Sequence, residues 1–264
     1  MTVARTSAGW RLMLVPPRGG AENMARDAAL MQRSRETGES VFSVYAWDRP
    51  TLSLGRNQTA RGRYDLGEIA RRGVDVVRRP TGGRALLHHR EVTYSVTAPL
   101  ANEHSLRDSY ERINCILLDG LRQLGVDAAE SRAGGPGRLP EDLPCFAEPA
   151  AGELVTGGAK LVGSAQYRED GALLQHGSIL VEDDQPLVAA LLRSSDPELE
   201  APAAATLAAA LGRAPAAAEV ALALFESVRK LEDSAASSLE ESDIREATAR
   251  HIEQYSSEWW TWRR

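Results

Sequence analysis

The spacing of apolar residues changes period several times along this chain, and that change restricts the fold more than any other feature. Over residues 21–35, Met24, Ala28 and Met31 recur at helical spacing, and Gly38 follows as a stop. Residues 41–47 and 51–54 are β-rich runs broken by Asp48-Arg49-Pro50, which predicts two strands and a turn. A short helix over 65–72 and strands over 74–77, 85–88 and 92–98 come next. Residues 105–124 form the clearest helix of the first half, with Ile113, Leu117, Leu121 and Leu124 in register. Residues 133–152, rich in glycine and proline, read as a long irregular loop. Beyond it, strands over 153–156, 159–168 and 172–181 are separated by Gly157-Gly158 and Asp170-Gly171, an antiparallel meander. The remainder is alanine-rich and helical, over about 185–193, 203–211, 216–232 and 242–255. Helix, strands, helix, strands, helices is an α+β order and not a βαβ repeat.

At 264 residues the chain suits one large domain with a small appendage. Hydrophobic residues at 43% and charged residues at 26% match a soluble globule and exclude disorder as the main state. Apolar stretches are short, and residues 1–17 include Arg5 and Arg11 with no signal-like apolar run, so a cytoplasmic protein without a membrane span is expected. A net charge of −6 argues against a nucleic-acid partner gripped by a general positive field. Two cysteines, Cys115 and Cys145, fall short of a disulfide framework or a four-ligand zinc site, so any thiol chemistry rests on one of them. Of 31 basic residues only Lys160 and Lys230 are lysines. A lysine in a small, apolar run of such an arginine-rich chain is a candidate for chemistry, because ammonium and guanidinium are not interchangeable in a site.

A free thiol with a pKa of about 8.5 is mostly protonated at neutral pH, so a cysteine nucleophile needs a neighbour that favours the anion. Lowering that value by about two units takes about 2.7 kcal/mol, and one ammonium at about 4 Å with an effective dielectric near 20 supplies it. Lys160 lies fifteen residues after Cys145, across a loop and a hairpin turn, where it could face the thiol. Strand alternation would put Lys160, Val162 and Ser164 on one face, with Gly163 admitting a ligand close to the backbone. On spacing alone, Cys145 also fits a half-buried loop thiol and Lys160 a solvated strand lysine. Cys115, in mid-helix, is expected to be a small buried hydrophobe. The loop Arg79-Pro80-Thr81-Gly82-Gly83-Arg84 offers backbone N–H groups and guanidinium donors suited to a carboxylate, thioester oxygen or phosphate, without Walker spacing. His88 and His89 are adjacent and so point to opposite faces of a strand; with no His-Glu-x-x-His, no metal site is expected. His88, on the face of Arg84 and Leu86, fits a pocket residue or a structural histidine equally, and His176 before Gly177 is equally open. The absence of Gly-x-Ser-x-Gly leaves a serine hydrolase without support.

Three ordered motifs connect these pieces. Arg78-Arg79-Pro80-Thr81-Gly82-Gly83-Arg84-Ala85-Leu86-Leu87-His88 with Glu91-Val92-Thr93-Tyr94-Ser95, then Gly158-Ala159-Lys160-Leu161-Val162-Gly163-Ser164-Ala165-Gln166, then Leu174-Gln175-His176-Gly177-Ser178-Ile179-Leu180 resemble the biotin and lipoate protein ligase superfamily. Leu52-Ser53-Leu54-Gly55-Arg56-Asn57-Gln58 and Tyr255-Ser256-Ser257-Glu258-Trp259 extend the resemblance over nearly the whole chain. It implies a mixed, largely antiparallel sheet packed by helices, of the biotin-protein-ligase and class II aminoacyl-tRNA-synthetase kind. It also implies a catalytic domain over 20–232 with a C-terminal helical extension over 233–264.

Within the superfamily, Pro144-Cys145-Phe146 resembles the cysteine-dependent protein octanoyltransferases. That implies Cys145 and Lys160 as catalytic residues, and a substrate site of Arg79, Thr81, Gly82, Gly83, Arg84, His88, Gly163, Ser164, Ala165, His176 and Gly177. The implied donor is octanoyl acyl carrier protein, and the implied acceptor is a lysine of the glycine cleavage H protein or another lipoyl domain. The transfer passes through an acyl-thioester on Cys145 and needs no cofactor. ATP and magnesium would enter only for a lipoate-protein ligase on the same fold. The resemblance is also compatible with a lipoyl amidotransferase and with a non-catalytic acyl-binding module. A monomer is favoured.

Overall fold

The computed structural model describes residues 9–100, 105–132, 145–146, 149–193 and 203–264. β1 (Trp10–Leu14) leads into α1 (Gly20–Thr37), β2 (Ser40–Tyr45), β3 (Thr51–Leu54), α2 (Leu66–Arg71), β4 (Asp75–Arg78), β5 (Leu86–His88) and β6 (Glu91–Pro99). α3 (Leu106–Gln123) and β7 (Ala129–Glu130) precede β8 (Leu154–Thr156), β9 (Ala159–Glu169) and β10 (Ala172–Leu180). The C-terminal part holds α4 (Leu187–Ala190), α5 (Leu207–Leu211), α6 (Ala217–Leu231), β11 (Ser237–Ser238), a tight helical turn at Glu241–Ile244, α7 (Arg245–Ser256) and α8 (Glu258–Thr261).

Among the described residues the main sheet runs β11-β1-β2-β6-β10-β9-β8-β7. β1 lies parallel to β2 and β11, and the other pairs are antiparallel. A small sheet pairs β3 with β4 in parallel and with β5 antiparallel. The fold is the mixed, largely antiparallel α+β arrangement expected. Sequence periodicity did not reveal β1, because Leu12, Met13 and Leu14 run on without alternation of apolar and polar residues. The helices expected over 185–193 and 203–211 shrink to the single turns α4 and α5. Most of the loop expected over 133–152 lies outside the described residues.

The two faces of the main sheet differ in chemistry. α3 and α6 cover one with an apolar interior: Val92, Tyr94, Val96, Leu173 and Ile179 of the sheet meet Ile116, Leu117 and Leu121 of α3 and Leu224 and Val228 of α6. Each such side chain, fully buried, contributes roughly 1.5–3 kcal/mol. With a period of two, Thr93, Ser95, Thr97, His176 and Ser178 fall on the other face, beneath α1. α1 meets them with its own buried polar residues, Asn23, Arg26, Asp27 and Ser34, beside Met24 and Leu30. A buried polar face between a helix and a sheet is costly unless its groups are paired, and the pairs it contains build the site.

Candidate active site

Cys145 and Lys160 come together. Lys160 is buried, and its Nζ donates to Glu153 Oε1 at 2.7 Å and to the Cys145 carbonyl oxygen at 2.8 Å, and lies 3.8 Å from Cys145 Sγ. At that separation an ammonium attracts a thiolate by about 4 kcal/mol at an effective dielectric near 20. Simple alternation fails along this stretch: Leu161 and Val162, neighbours in sequence, both reach the apolar cluster under α3 and α6, and the β8–β9 register shifts between Leu154 and Val155. The Phe146 ring stands 5.2 Å from Lys160 Nζ and packs on Leu86 and Leu180. A Cβ at Gly163 would lie 3.1 Å from that ring, so a side chain at this position would crowd Phe146.

Beside the thiol opens a cavity of about 450 Å³, part of it in contact with solvent. Met24, Tyr45, Trp47 and Leu86 supply apolar wall, and Arg79, Gly83, His88, Gly163, Ser164, Ala165, His176 and Gly177 complete it around Cys145.

The rim is braced from within. Arg79 donates to Gly82 O at 2.8 Å, Arg84 O at 2.8 Å and Ser53 O at 2.9 Å, so its guanidinium holds the loop in shape instead of presenting free donors. Burial pulls Arg79 below its ordinary pKa, and the Cys145 sulfur, as an anion, acts against that pull. A Cβ at Gly55 would lie 1.9 Å from Gly83 O, so no other residue allows these two loops to meet. Arg84 keeps a buried Nη1 without a hydrogen-bond partner, and it does not line the cavity.

Two carboxylate–imidazole–hydroxyl chains run beneath the cavity. In one, His176 Nδ1 lies 2.8 Å from Asp27 Oδ2 and its Nε2 lies 2.7 Å from Thr81 Oγ1; Tyr45 OH donates to the same Asp27 oxygen at 3.1 Å. In the other, His88 Nδ1 lies 3.2 Å from Glu91 Oε1 and its Nε2 lies 2.9 Å from Ser53 Oγ, which also accepts from Arg79 at 3.0 Å. Trp47 stacks on His88 at 4.0 Å and donates to Thr93 Oγ1 at 2.9 Å. Burial holds the His88 imidazolium below the ordinary range, against the pull of Glu91.

Sequence reasoning missed Asp27, Glu91 and Trp47. The available signals were a carboxylate on the apolar stripe of α1, three residues after Met24, and another opening an otherwise uncharged strand. Cys115 is exposed, not buried: α3 turns Ile113, Ile116, Leu117 and Leu121 inward, and Cys115 falls outside that stripe. His89 lies past the end of β5, exposed beside Asp184. Among the described residues no cluster of histidine, cysteine or carboxylate side chains could hold a metal, and no helix is long and apolar enough to cross a membrane.

An apolar cavity with a thiol and a buried ammonium at its edge defines an enzyme domain built to handle an acyl group. Residues 20–229 match the lipoyl protein ligase A/B catalytic domain. Octanoyltransferase LipM of Kyrpidia tusciae is 44% identical over 192 residues, 70% of either chain. Octanoyltransferase LipM of Symbiobacterium thermophilum is 43% identical over 195 residues, 70% of this chain and 69% of its own. A crystal structure of lipoate-protein ligase A bound with ATP shares the fold, with a TM-score of 0.78 at 22% identity over 96% of this chain and 98% of that one. The chain belongs to the lipoyl protein ligase A/B catalytic domain family and is an acyl-transferring enzyme.

Proposed function

We propose that this enzyme is a protein octanoyltransferase of the cytoplasm, which takes an octanoyl group from acyl carrier protein and passes it to a lipoyl-domain lysine, such as that of the glycine cleavage H protein. The observation that carries this reading is the 3.8 Å approach of Lys160 Nζ to Cys145 Sγ beside an apolar cavity. The Cys145 thiolate attacks the carrier's thioester carbonyl, the carrier thiolate leaves, and an octanoyl thioester remains on Cys145. The acceptor amine then attacks that carbonyl and Cys145 departs as thiolate, facing the Lys160 ammonium again. Exchange of one thioester for another is near balanced, and amide formation runs downhill, so no ATP is required. Because Arg79 draws the Gly82 carbonyl inward, the trans peptide turns the Gly83 N–H the other way, and we assign it to the thioester oxygen.

Intact mass spectrometry after mixing with octanoyl acyl carrier protein, without ATP, tests the reading. One octanoyl adduct is expected on the wild type and on Cys115→Ala, and none on Cys145→Ala. A chain that modifies a lipoyl domain only with ATP and free acid, and does so as well with Cys145→Ala, would overturn it.

A further inference from the structure

We infer that Glu153 is a positioning residue that keeps Lys160 charged while Cys145 carries the acyl group and its sulfur is neutral. This rests on the octanoyl-transfer reading above and deepens it, since that reading needs the ammonium both before and after acylation, and the thiolate is present only before.

The donor count at Lys160 carries the argument. Three acceptors surround Nζ: Glu153 Oε1 at 2.7 Å, the Cys145 carbonyl oxygen at 2.8 Å and Cys145 Sγ at 3.8 Å. An ammonium has three N–H donors and no lone pair, so it meets all three, whereas a neutral amine would turn a lone pair toward one of them. In the free enzyme this ammonium has two anions beside it, the thiolate and the Glu153 carboxylate. Acylation takes one away, because a thioester sulfur carries no charge. Lys160 is only 3% exposed, and a buried ammonium without a counter-charge gives up its proton. Among the described residues Glu153 is the only carboxylate in ion-pair reach of it.

The other titratable and charged groups near this pair do not replace Glu153. Tyr110 of α3 faces Glu153 and Cys145, but burial, and then the Glu153 charge, push it up to about 12, so it stays neutral. Arg79 acts on the Cys145 sulfur and is itself a cation, committed to three carbonyl oxygens. The Phe146 ring, 5.2 Å from Nζ, offers the face of a quadrupole and no net charge.

The carboxylate is held in place before any substrate binds. Glu153 Oε2 accepts from the Ala150 N–H at 2.8 Å, and the Glu153 N–H donates back to Ala150 O at 3.1 Å, which closes the turn from both ends. The Ser131 N–H donates to Glu153 O at 2.8 Å, and Asn114 of α3 donates to Gly152 O at 2.7 Å. One carboxylate oxygen is thus fixed by backbone and the other by Lys160, so the charge stays beside Nζ when the sulfur is acylated.

Only Lys160 and Lys230 are lysines. Protein grown on lysine carrying the NMR-active nitrogen isotope at Nζ therefore gives two signals, which Lys230→Arg assigns. Their chemical shifts tell ammonium from amine and are read before and after loading of Cys145 from octanoyl acyl carrier protein. In the wild type Lys160 is expected to be an ammonium in both states. In Glu153→Gln it is expected to be an ammonium in the free enzyme and a neutral amine once loaded. Single-turnover transfer from the loaded enzymes to a lipoyl domain reads the consequence. Between pH about 6.5 and about 8.5 the deficit of Glu153→Gln against wild type should widen at least tenfold, because the ammonium fraction falls as pH rises. Glu153→Asp keeps the charge, and its ratio to wild type should not change with pH. A neutral Lys160 in the loaded wild type overturns the inference without any variant. No deficit in Glu153→Gln also overturns it, and a deficit equal at every pH would make Glu153 a brace for its loop and nothing more. A wild type that never gains the octanoyl mass at Cys145 would remove the octanoyl-transfer reading itself, an outcome distinct from the others.

Discussion

Trp47→Ala should lengthen the acyl chain that the enzyme prefers. Gly163, Ser178, Thr93 and Tyr45 form one row across β9, β10, β6 and β2, which gives the cavity a ruler. The hydrogen bond from Trp47 to Thr93 sets the indole over β6, two strand spacings or roughly 10 Å from Gly163. An octanoyl chain has seven C–C bonds of about 1.5 Å, which span roughly 9 Å in zigzag, so its methyl group would end against Trp47. Removing the indole makes room for two more methylenes. At about 0.8 kcal/mol each, their burial raises the decanoyl-to-octanoyl ratio of kcat/KM by about 15-fold. Truncating this buried side chain costs about 3–5 kcal/mol of stability, so melting is followed alongside. Steady-state transfer from octanoyl and decanoyl acyl carrier protein measures the ratio. A folded variant whose ratio stays at the wild-type value would refute the ruler.

Three further outcomes are expected. Lys160→Ala should slow iodoacetamide labelling of Cys145 at neutral pH at least tenfold, read by mass spectrometry against exposed Cys115 in the same sample; an unchanged rate would assign thiol activation elsewhere. Arg78→Lys should destabilise the fold by about 2–4 kcal/mol in urea, because the buried guanidinium serves Gly55 O at 2.6 Å, Gln58 O at 2.8 Å and Thr261 O at 2.8 Å while burial and nearby arginines push it down to about 10. His88 should make the protein acid-sensitive. Its folded-state pKa lies below the ordinary value of about 6.5, so below that pH the unfolded chain binds the proton first and stability falls with falling pH. The urea midpoint of His88→Asn should therefore drop less than that of the wild type between neutral and mildly acidic solution, and parallel drops would contradict the assignment.

What the sequence revealed, and what it did not, divides along one physical line. Strands exposed to a core on one side and helices with one apolar stripe announce themselves by period, and so β6, α3 and the β8–β10 meander were legible. Short pieces such as β1, β7 and β11 have no such period and appear only with their partners. The thiol and one of the two lysines stood out by residue type. Asp27 could be placed only once α1 lay over the sheet, because a carboxylate 149 residues away in sequence becomes a partner of His176 by packing alone.

The chain's preference for arginine gains meaning at this site. Arg78 and Arg79 each bind several carbonyl oxygens at once, a task for a planar, many-donor cation, and both brace loops, Arg79 from the cavity wall. Position 160 has the opposite demand. Three partners, a carboxylate, a carbonyl and a sulfur, surround one nitrogen at 2.7, 2.8 and 3.8 Å, and all three need a compact charge at a single point. A guanidinium would spread its charge over a plane and meet the Phe146 ring, which already lies 5.2 Å from Nζ. Lys160→Arg should therefore keep the charge and still lose acyl loading, and a variant that loaded Cys145 at the wild-type rate would show that any cation suffices there.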